Sequence, residues 1–323
     1  MKDIIIDCDP GQDDALAILL ALGSKTLNLK AITVVSGNVT VDRCYKNALK
    51  ILGLANRLDI PVYMGEKKPL KKELTTLECV FGESGMAGSE NWENPIVQPS
   101  KKGAVDFLIE AYSDFKEGPM LSLIAPQTNI ATALIKNPTL AKKIPEITIM
   151  GGCVFKEPVH GFMGNISFDG GKTHAEYNFA MDPHAVDIVF KSGVSNINLI
   201  GLNVTRKVLY DRFIDERLRK INSLVSKRVA DMLTVIGKED EDDYAVLKKE
   251  SADFFRALHD AVALAYMEDR SIFKVEKLPV LIDLTKTLGQ TIIDKNGTLI
   301  NVVTDVDKDA FFDLVCCAIS NLN

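Results

Sequence analysis

Four aspartates near the start of the chain lie on both sides of a predicted turn. They are Asp7, Asp9, Asp13 and Asp14. The first two follow an apolar run at residues 4–6 that predicts a buried strand, and the other two follow Pro10-Gly11 at the start of an Ala- and Leu-rich helix. Because side chains alternate along a strand, Asp7 and Asp9 are expected on the same face of it. We therefore expect all four carboxylates to converge beyond the end of the strand.

Such a cluster calls for a positive charge inside it, since carboxylates that share a site repel one another. Calcium and magnesium bind oxygen ligands, and the cluster offers only oxygens because Cys8 is expected on the opposite face of the strand. The turn is acidic rather than glycine-rich, which favours a neutral, hydroxyl-rich ligand over a phosphate. The alternative is structural, with Asp13 and Asp14 favouring the helix start and Asp7 and Asp9 capping the strand end.

The sequence Asp-Cys-Asp-Pro-Gly-Gln-Asp-Asp-Ala at residues 7–15 resembles the signature of the inosine-uridine-preferring nucleoside hydrolases. The resemblance implies a calcium-dependent enzyme that hydrolyses the N-glycosidic bond of a ribonucleoside and releases free base and ribose. It further implies that Asp9 and Asp14 bind Ca²⁺ and that Asp13 contacts the substrate.

A second segment, Leu258-His259-Asp260, begins another apolar helix. On its own, an acid at this position is more often a helix cap. The segment is similar to the family's second metal-binding element, which implies that Asp260 is a calcium ligand that also contacts the ribose. By the same resemblance His259 is a site residue that faces the base.

Residues 124–131, with the sequence Ile-Ala-Pro-Gln-Thr-Asn-Ile-Ala, are similar to a family turn that supplies a backbone carbonyl to calcium. The resemblance assigns that carbonyl to Ile124. Two positions, Ala125 and Gln127, depart from the family pattern. Without the resemblance this segment predicts only a capped helix start.

Glu176-Tyr177-Asn178 resembles the family segment that holds the ribose hydroxyls, a task to which carboxylate and amide groups are suited. The resemblance implies that Glu176 and Asn178 bind substrate, together with Asn165 across a longer interval than in the family. Asn38, after the second predicted strand, matches a family position near the metal and the attacking water.

One position leaves the preferred base open. Phe81 precedes Gly-Glu-Ser-Gly at residues 82–85, where pyrimidine-active relatives typically have a histidine that contacts the base. An apolar ring therefore stands at a substrate-binding position where a proton donor is usual.

These residues support a mechanism. Cleavage of a ribose–base bond passes through an oxocarbenium-like sugar, so it needs an activated water, a hold on the sugar and help for the leaving base. A bound cation lowers the pKa of water, and Asp9 beside it can accept the proton as general base. His259 is the predicted proton donor to the base. The other histidines are His160, His174 and His184.

The composition limits the class of protein. The chain has 323 residues, 46% of them hydrophobic, and a formal net charge of -6, which permits a sizeable core and argues against a nucleic-acid partner. The six cysteines have no Cys-x-x-Cys spacing and are expected to be reduced thiols. Apolar runs are too short for a membrane span and nothing like a signal segment precedes the first strand, so we expect a cytoplasmic protein without a membrane partner.

Strand and helix signals alternate at short spacing along the chain. They predict an α/β fold, an open, mostly parallel sheet with helices on both faces, and such sheets bind ligands beyond the C-terminal ends of their strands. We expect a helical excursion around residues 209–267 and a single nucleoside hydrolase-like domain over residues 1–323. The family resemblance also implies a homodimer or homotetramer.

Two alternative functions remain open from the sequence. A haloacid-dehalogenase-like phosphatase also begins with a strand that ends in Asp-x-Asp and binds magnesium, although its second Asp is not normally followed by Pro-Gly-x-Asp-Asp. A catalytically silent nucleoside- or ribose-binding protein could share the same fold, because fold alone does not decide function. The presence of Asp9 and of the predicted metal ligands argues against it.

Overall fold

The computed structural model of the chain describes residues 1–78, 82–113, 118–158, 161–166, 174–235 and 254–322. Its strands are β1 (Lys2–Cys8), β2 (Leu27–Val34), β3 (Val62–Met64), β4 (Met120–Leu123), β5 (Ile147–Met150), β6 (Ile197–Ile200), β7 (Leu209–Asp211), β8 (Phe254–Ala257), β9 (Phe273–Ile282), β10 (Thr291–Ile293) and β11 (Thr298–Val306). Its helices are α1 (Gln12–Gly23), α2 (Val41–Leu54), α3 (Ala104–Ser113), α4 (Thr128–Lys136), α5 (Tyr177–Met181), α6 (Pro183–Lys191), α7 (Leu202–Thr205), α8 (Arg212–Ile221), α9 (Leu224–Leu233), α10 (His259–Glu268) and α11 (Lys308–Ser320). Short 3-10 helices occupy Pro138–Lys142 and Arg270–Ile272.

Within the described residues, the main sheet has nine strands in the order β10-β9-β11-β6-β5-β4-β1-β2-β3. From β11 through β3 all neighbouring strands are parallel, whereas β9 is antiparallel to both β10 and β11. The prediction of an open, mostly parallel sheet is confirmed. The C-terminal strands add an antiparallel edge to it.

Strand β1 shows why helices must cover both faces of this sheet. Ile4 and Ile6 face a core shared with α1, α2, α10 and α11, while Ile5 faces a second core shared with α3, α4 and α6. None of the three isoleucines is more than 1% exposed. A strand that is buried on both faces is apolar without alternation, which explains the run at residues 4–6.

The strand order reverses beside β1. The sheet continues through β2 and β3 on one side of it and through β4, β5 and β6 on the other. Open α/β sheets bind ligands at such a reversal, in the crevice beyond the C-terminal ends of the strands. The segments after β1, β2 and β4, which carry Asp9, Asn38 and Ile124, follow strands on both sides of this point.

The helical excursion predicted around residues 209–267 holds α8, α9 and most of α10, but it also holds two strands. β7 and β8 pair in antiparallel orientation as a separate two-stranded sheet. They are three and four residues long, too short for their alternation to stand out in the sequence. In the part of the chain that the structure describes, no helix is both long and apolar enough to cross a bilayer.

Candidate active site

Three carboxylates from opposite ends of the chain come together at two helix starts. Asp13 and Asp14 lie in the first turn of α1, and Asp260 lies in the first turn of α10, a helix that packs against α1. One oxygen of each carboxylate lies within 4.8 Å of one oxygen of each of the others. Asp14 also accepts a hydrogen bond of 2.9 Å from the backbone N–H of Gly11, which fixes its carboxylate at the start of α1.

Asp9 lies just beyond the end of β1 and is held against the segment that follows β2. The backbone N–H of Asn38 donates to Asp9 Oδ2 at 2.7 Å, and Asn38 Nδ2 donates to the Asp9 carbonyl at 3.1 Å. A Cβ atom at Gly37 would stand 2.0 Å from Asp9 Oδ2, so only glycine allows this approach. The Asp9 N–H donates to Asp14 Oδ1 at 3.3 Å, which links Asp9 to the acidic cluster.

The electrostatics of the four acids Asp9, Asp13, Asp14 and Asp260 favour a cation among them. Burial first, and then the charges of neighbouring carboxylates, raise the pKa of Asp9, Asp14 and Asp260. Burial also raises the pKa of Asp13, against the opposing effect of the Arg256 guanidinium. When a cation binds among carboxylates with raised pKa values, it displaces protons from them. The donor set consists of carboxylate oxygens, so the residues present fit a hard divalent cation.

Asp7 does not join this cluster. Its Oδ1 accepts hydrogen bonds from the hydroxyl of Thr33 and from Asn129 Nδ2, the latter at 2.7 Å. Burial raises the pKa of Asp7 to about 7, against the lowering effect of these two bonds. The expected convergence of all four N-terminal aspartates is therefore wrong for Asp7. The prediction assumed that side chains alternate along a strand from Asp7 to Asp9. Strand β1 ends at Cys8, so this alternation does not continue to Asp9.

Ile124 lies at the end of β4, directly beside β1. Its backbone N–H donates to the Asp7 carbonyl at 2.9 Å, and the residue is 1% exposed. The turn that follows is held by Thr128, whose hydroxyl donates to Asp182 Oδ2 at 2.7 Å, and by Asn129. These contacts give the Ile124 backbone a defined position at the point where the strand order reverses.

Glu176 and Asn178 begin helix α5. The Glu176 carboxylate accepts from the backbone N–H groups of Asn178, Phe179 and Gly152 at 3.0, 3.1 and 3.0 Å. Burial raises the pKa of Glu176, the three backbone bonds lower it, and Asp13 raises it. The net result is a pKa of about 7. Glu176 is thus both the cap of α5 and a close neighbour of the acidic cluster. Asn178 Nδ2 donates to the Met150 carbonyl at 3.4 Å.

Asn165 is exposed, and its Oδ1 accepts from the backbone N–H of Tyr177 at 2.9 Å. The Tyr177 hydroxyl in turn donates to the carbonyl of Gly37 at 3.0 Å and lies 3.3 Å from that of Thr75. The start of α5 is therefore tied to the same segment that holds Asp9. Asn165 is thus connected to the turn at Asn38 through a single residue, Tyr177.

His259 precedes Asp260 at the start of α10. Its Nδ1 lies 2.8 Å from the hydroxyl of Thr205. Burial, together with the positive charges of Arg206 and Arg256, lowers the pKa of His259 to about 3. The imidazole is neutral at neutral pH. Of the alternative histidines, His174 is exposed and His184 is partly exposed on α6.

Several expectations fall on segments outside the described residues. They are the contact predicted for Phe81 and the histidine at position 160.

Two residues at the site were missed by the sequence interpretation. Arg256 is only 8% exposed, and its Nη1 donates to Gln12 Oε1 next to Asp13. A charged residue within the apolar segment at residues 254–258, just before His259, is the signal that could have drawn attention to it. Gln12 gave no such signal, because its partner lies 244 residues away in the chain.

The chain is similar over nearly its whole length to known nucleoside hydrolases. The family profile described as inosine-uridine preferring nucleoside hydrolase matches residues 4–313. The pyrimidine-specific ribonucleoside hydrolase RihA of Shigella flexneri serotype 5b is 36% identical over 320 residues, which cover 97% of this chain and 96% of that protein. A purine-preferring ribonucleoside hydrolase from Gardnerella vaginalis superposes with a TM-score of 0.85 at 29% identity and covers 99% of both chains. The plant nucleoside hydrolase PpNRh1 superposes with a TM-score of 0.82, also at 29% identity and 99% coverage of both.

These matches replace the phosphatase and the silent binding protein as interpretations of the acidic site. The chain belongs to the inosine-uridine-preferring nucleoside hydrolase family and is a nucleoside hydrolase, a glycosidase that acts on N-glycosidic bonds.

Proposed function

We propose that the chain hydrolyses ribonucleosides to free base and ribose in a calcium-dependent reaction with Asp9 as the general base. The observation that carries this proposal is the meeting of the carboxylates of Asp13, Asp14 and Asp260 within 4.8 Å, with Asp9 linked to Asp14. Buried acids at this spacing are costly unless a cation is bound among them.

Calcium suits the donor set better than zinc, because all of the donors are oxygens, from carboxylates and a backbone carbonyl. The proposed ligands are the side chains of Asp9, Asp14 and Asp260 and the carbonyl of Ile124. When bound, such a cation would polarise water and lower its pKa.

Asp9 is the proposed proton acceptor, and Asn38 orients it. In the reaction the water oxygen forms a bond to the anomeric carbon, the bond from that carbon to the base nitrogen breaks, and Asp9 takes the water proton. The Asn38 backbone N–H at 2.7 Å occupies Asp9 Oδ2, which leaves Oδ1 as the oxygen for the proton. Burial and the neighbouring Asp14 carboxylate raise the pKa of Asp9, and a cation bound beside it would lower that pKa again.

In this proposal, polar side chains from the starts of α1 and α10 and from the segment around α5 hold the sugar. They are Asp13, Asn165, Glu176, Asn178 and Asp260. Carboxylates accept bonds from ribose hydroxyls, and the amides both donate and accept. Their negative charge also favours the positive charge that develops on the ribose ring. Much of their contribution is the positioning of the anomeric carbon near the water.

His259 is the proposed residue for the leaving base. With a pKa of about 3 it is neutral at neutral pH, so it would help the base through a hydrogen bond from its remaining ring N–H rather than as an imidazolium. The Thr205 hydroxyl, 2.8 Å from Nδ1, can hold the tautomer that carries its proton on Nε2. Phe81 is the proposed apolar contact of the base.

A panel of inosine, adenosine, guanosine, uridine and cytidine tests the proposal. Release of free base and ribose, followed by chromatography, is expected for at least one of the five. The named relatives act on different bases, RihA on pyrimidine ribonucleosides and the Gardnerella vaginalis enzyme preferentially on purine ones. The panel therefore also determines the base preference of this chain. Binding of nucleosides without any product would contradict the proposal.

Three further properties stay predictions from the sequence and its family resemblance. They are a homodimeric or homotetrameric state, a cytoplasmic location and a single domain over residues 1–323. Light scattering of the purified chain tests the first, and fractionation of the source cells tests the second.

A further inference from the structure

Arg256 is a buried cation beside the acidic cluster, and the mechanism above does not use it. The residue is 8% exposed, and its side chain donates hydrogen bonds to the start of α1 and to the segment at the end of α9. Nε donates to the Leu233 carbonyl at 3.0 Å, and the two Nη atoms donate to Gln12 Oε1 and to the Val235 carbonyl. A buried guanidinium is costly unless its donors are paired, and the fork geometry of arginine lets it bind several acceptors at once.

Gln12 and Arg256 lie where the two acidic segments of the site begin. Gln12 is the first residue of α1 and directly precedes Asp13, while Arg256 lies in β8 and precedes Asp260 by four residues. Gln12 is itself fixed, because its Nε2 donates to the Ala87 carbonyl at 2.9 Å and to the Met232 carbonyl at 3.4 Å. The contact between Arg256 and Gln12 is therefore a direct, buried bridge between the N-terminal and C-terminal halves of the acidic cluster.

We propose that Arg256 is a positioning residue which, through Gln12, holds the start of α1 against the start of α10 so that Asp14 and Asp260 bind one cation. The inference rests on the calcium site of the proposed function and adds a residue to it. Arg256 contacts neither the cation nor the reacting atoms in this role. It acts by fixing the distance between the carboxylates that bind the cation.

The sign of the effect separates this role from a purely electrostatic one. The positive charge of Arg256 opposes the binding of a second cation nearby, so its removal alone would tighten calcium binding. Loss of a positioning contact does the opposite, because residues that orient metal ligands typically contribute about 10- to 100-fold to metal affinity. Weaker binding after removal of the charge is therefore the result expected from geometry, and it is opposite to the result expected from repulsion between the two cations.

The test is a calorimetric titration of the full chain with calcium after treatment with a chelator, which needs no substrate. Arg256→Gln is expected to bind calcium about 10- to 100-fold more weakly than the parent. Arg256→Lys keeps the charge and one donor group, so its calcium affinity should lie between those of the parent and Arg256→Gln. Gln12→Leu removes the acceptor and should weaken binding in the same direction. The double variant should lose less than the sum of the two single losses, because both changes break the contact between Arg256 and Gln12.

A matched control is Arg217→Gln, since Arg217 Nη2 also joins two helices, α8 and α11, through Asp313 Oδ1 at 2.5 Å. It should bind calcium as the parent does. Thermal unfolding of every variant identifies those that do not fold, and Arg256→Lys and Gln12→Leu carry the test if Arg256→Gln is one of them.

Calcium binding by Arg256→Gln that equals or exceeds that of the parent would overturn the inference, as would additive losses in the double variant. Failure of the parent itself to bind calcium would reject the proposed cation site, a different result from failure of Arg256 to position it.

Discussion

Asp9 differs from the other acids of the site in how it is held. Its Oδ2 accepts a hydrogen bond from the backbone N–H of Asn38. The same oxygen lies so close to Gly37 that no side chain fits at that position. Burial and the Asp14 carboxylate raise its pKa well above the ordinary value. These contacts hold the carboxylate in one orientation. Asp9 is therefore the residue whose loss should affect the chemistry most.

Asp9→Asn tests this role with almost no change in shape. Because an amide cannot accept the water proton, kcat on the best nucleoside should fall by about 100- to 10,000-fold, the usual contribution of a general base. Steady-state kinetics measure the loss, and calorimetry of the same variant checks that it folds and how tightly it binds calcium. A variant with the turnover of the parent would remove Asp9 from the mechanism.

His259 is tested through the leaving group. His259→Ala should lower turnover on an unactivated nucleoside far more than on p-nitrophenyl riboside, whose leaving group needs no proton. The reason is that the imidazole N–H helps only a base that must be neutralised as it departs. Parallel assays of both substrates provide the measurement. Equal losses on the two would assign His259 to positioning rather than to the leaving base.

At the residue level, sequence spacing predicted the acids that meet but not what holds them. Asp13 and Asp14 lie in one helical turn, so their proximity is local, and the approach of Asp260 was expected only from the family resemblance. Asp7 was wrongly grouped with them, because its partners Thr33 and Asn129 come from other elements. Contacts of this kind depend on the packing of distant segments and leave no local pattern.

At the level of elements, the strand predicted from the apolar run at residues 4–6 is confirmed as β1, which is buried on both sides. The pair β7–β8 was not foreseen, since helical segments surround these short strands. The antiparallel pairing of β9 with β11 could not be predicted either, because the direction of a neighbour is set by the connection and not by the strand's own residues.

The turn between β9 and β10 gives a prediction about pH and stability. Partial burial raises the pKa of Asp283, but hydrogen bonds from the backbone of Thr285, Thr287 and Lys286 and from the Thr285 hydroxyl outweigh it and lower the pKa to about 2. The folded state therefore favours the ionised carboxylate. Its stabilisation is complete above the usual aspartate pKa of about 4 and is lost as the pH falls from there through about 2.

Asp283→Asn should accordingly reduce the free energy of unfolding by about 1 kcal/mol at pH near 6, a value that allows for solvent screening of an exposed group. Urea unfolding of parent and variant between about pH 6 and pH 3 measures the difference, which should narrow as the pH is lowered. A difference that does not change with pH would show that the carboxylate charge is not responsible.

At the level of the whole molecule, the two ends of the chain complete one site. The carboxylates of Asp13, Asp14 and Asp260 meet there, Asp9 is linked to Asp14, and α1 packs against both α10 and α11. If residues 1–323 form a single domain, scanning calorimetry should record one cooperative unfolding transition. Calcium at about 100 times its dissociation constant should stabilise the folded state by about 2.7 kcal/mol and shift that transition as a whole. Two separate transitions, only one of them sensitive to calcium, would contradict the single domain.

The most direct measurement is the release of free base from the best nucleoside substrate before chelation, after removal of divalent cations, and after calcium is added back. Removal should abolish hydrolysis, because no cation would then polarise the attacking water. Added calcium should restore it, and Asp9→Asn should not recover under the same conditions. Hydrolysis that continues unchanged in the chelated protein would contradict the account.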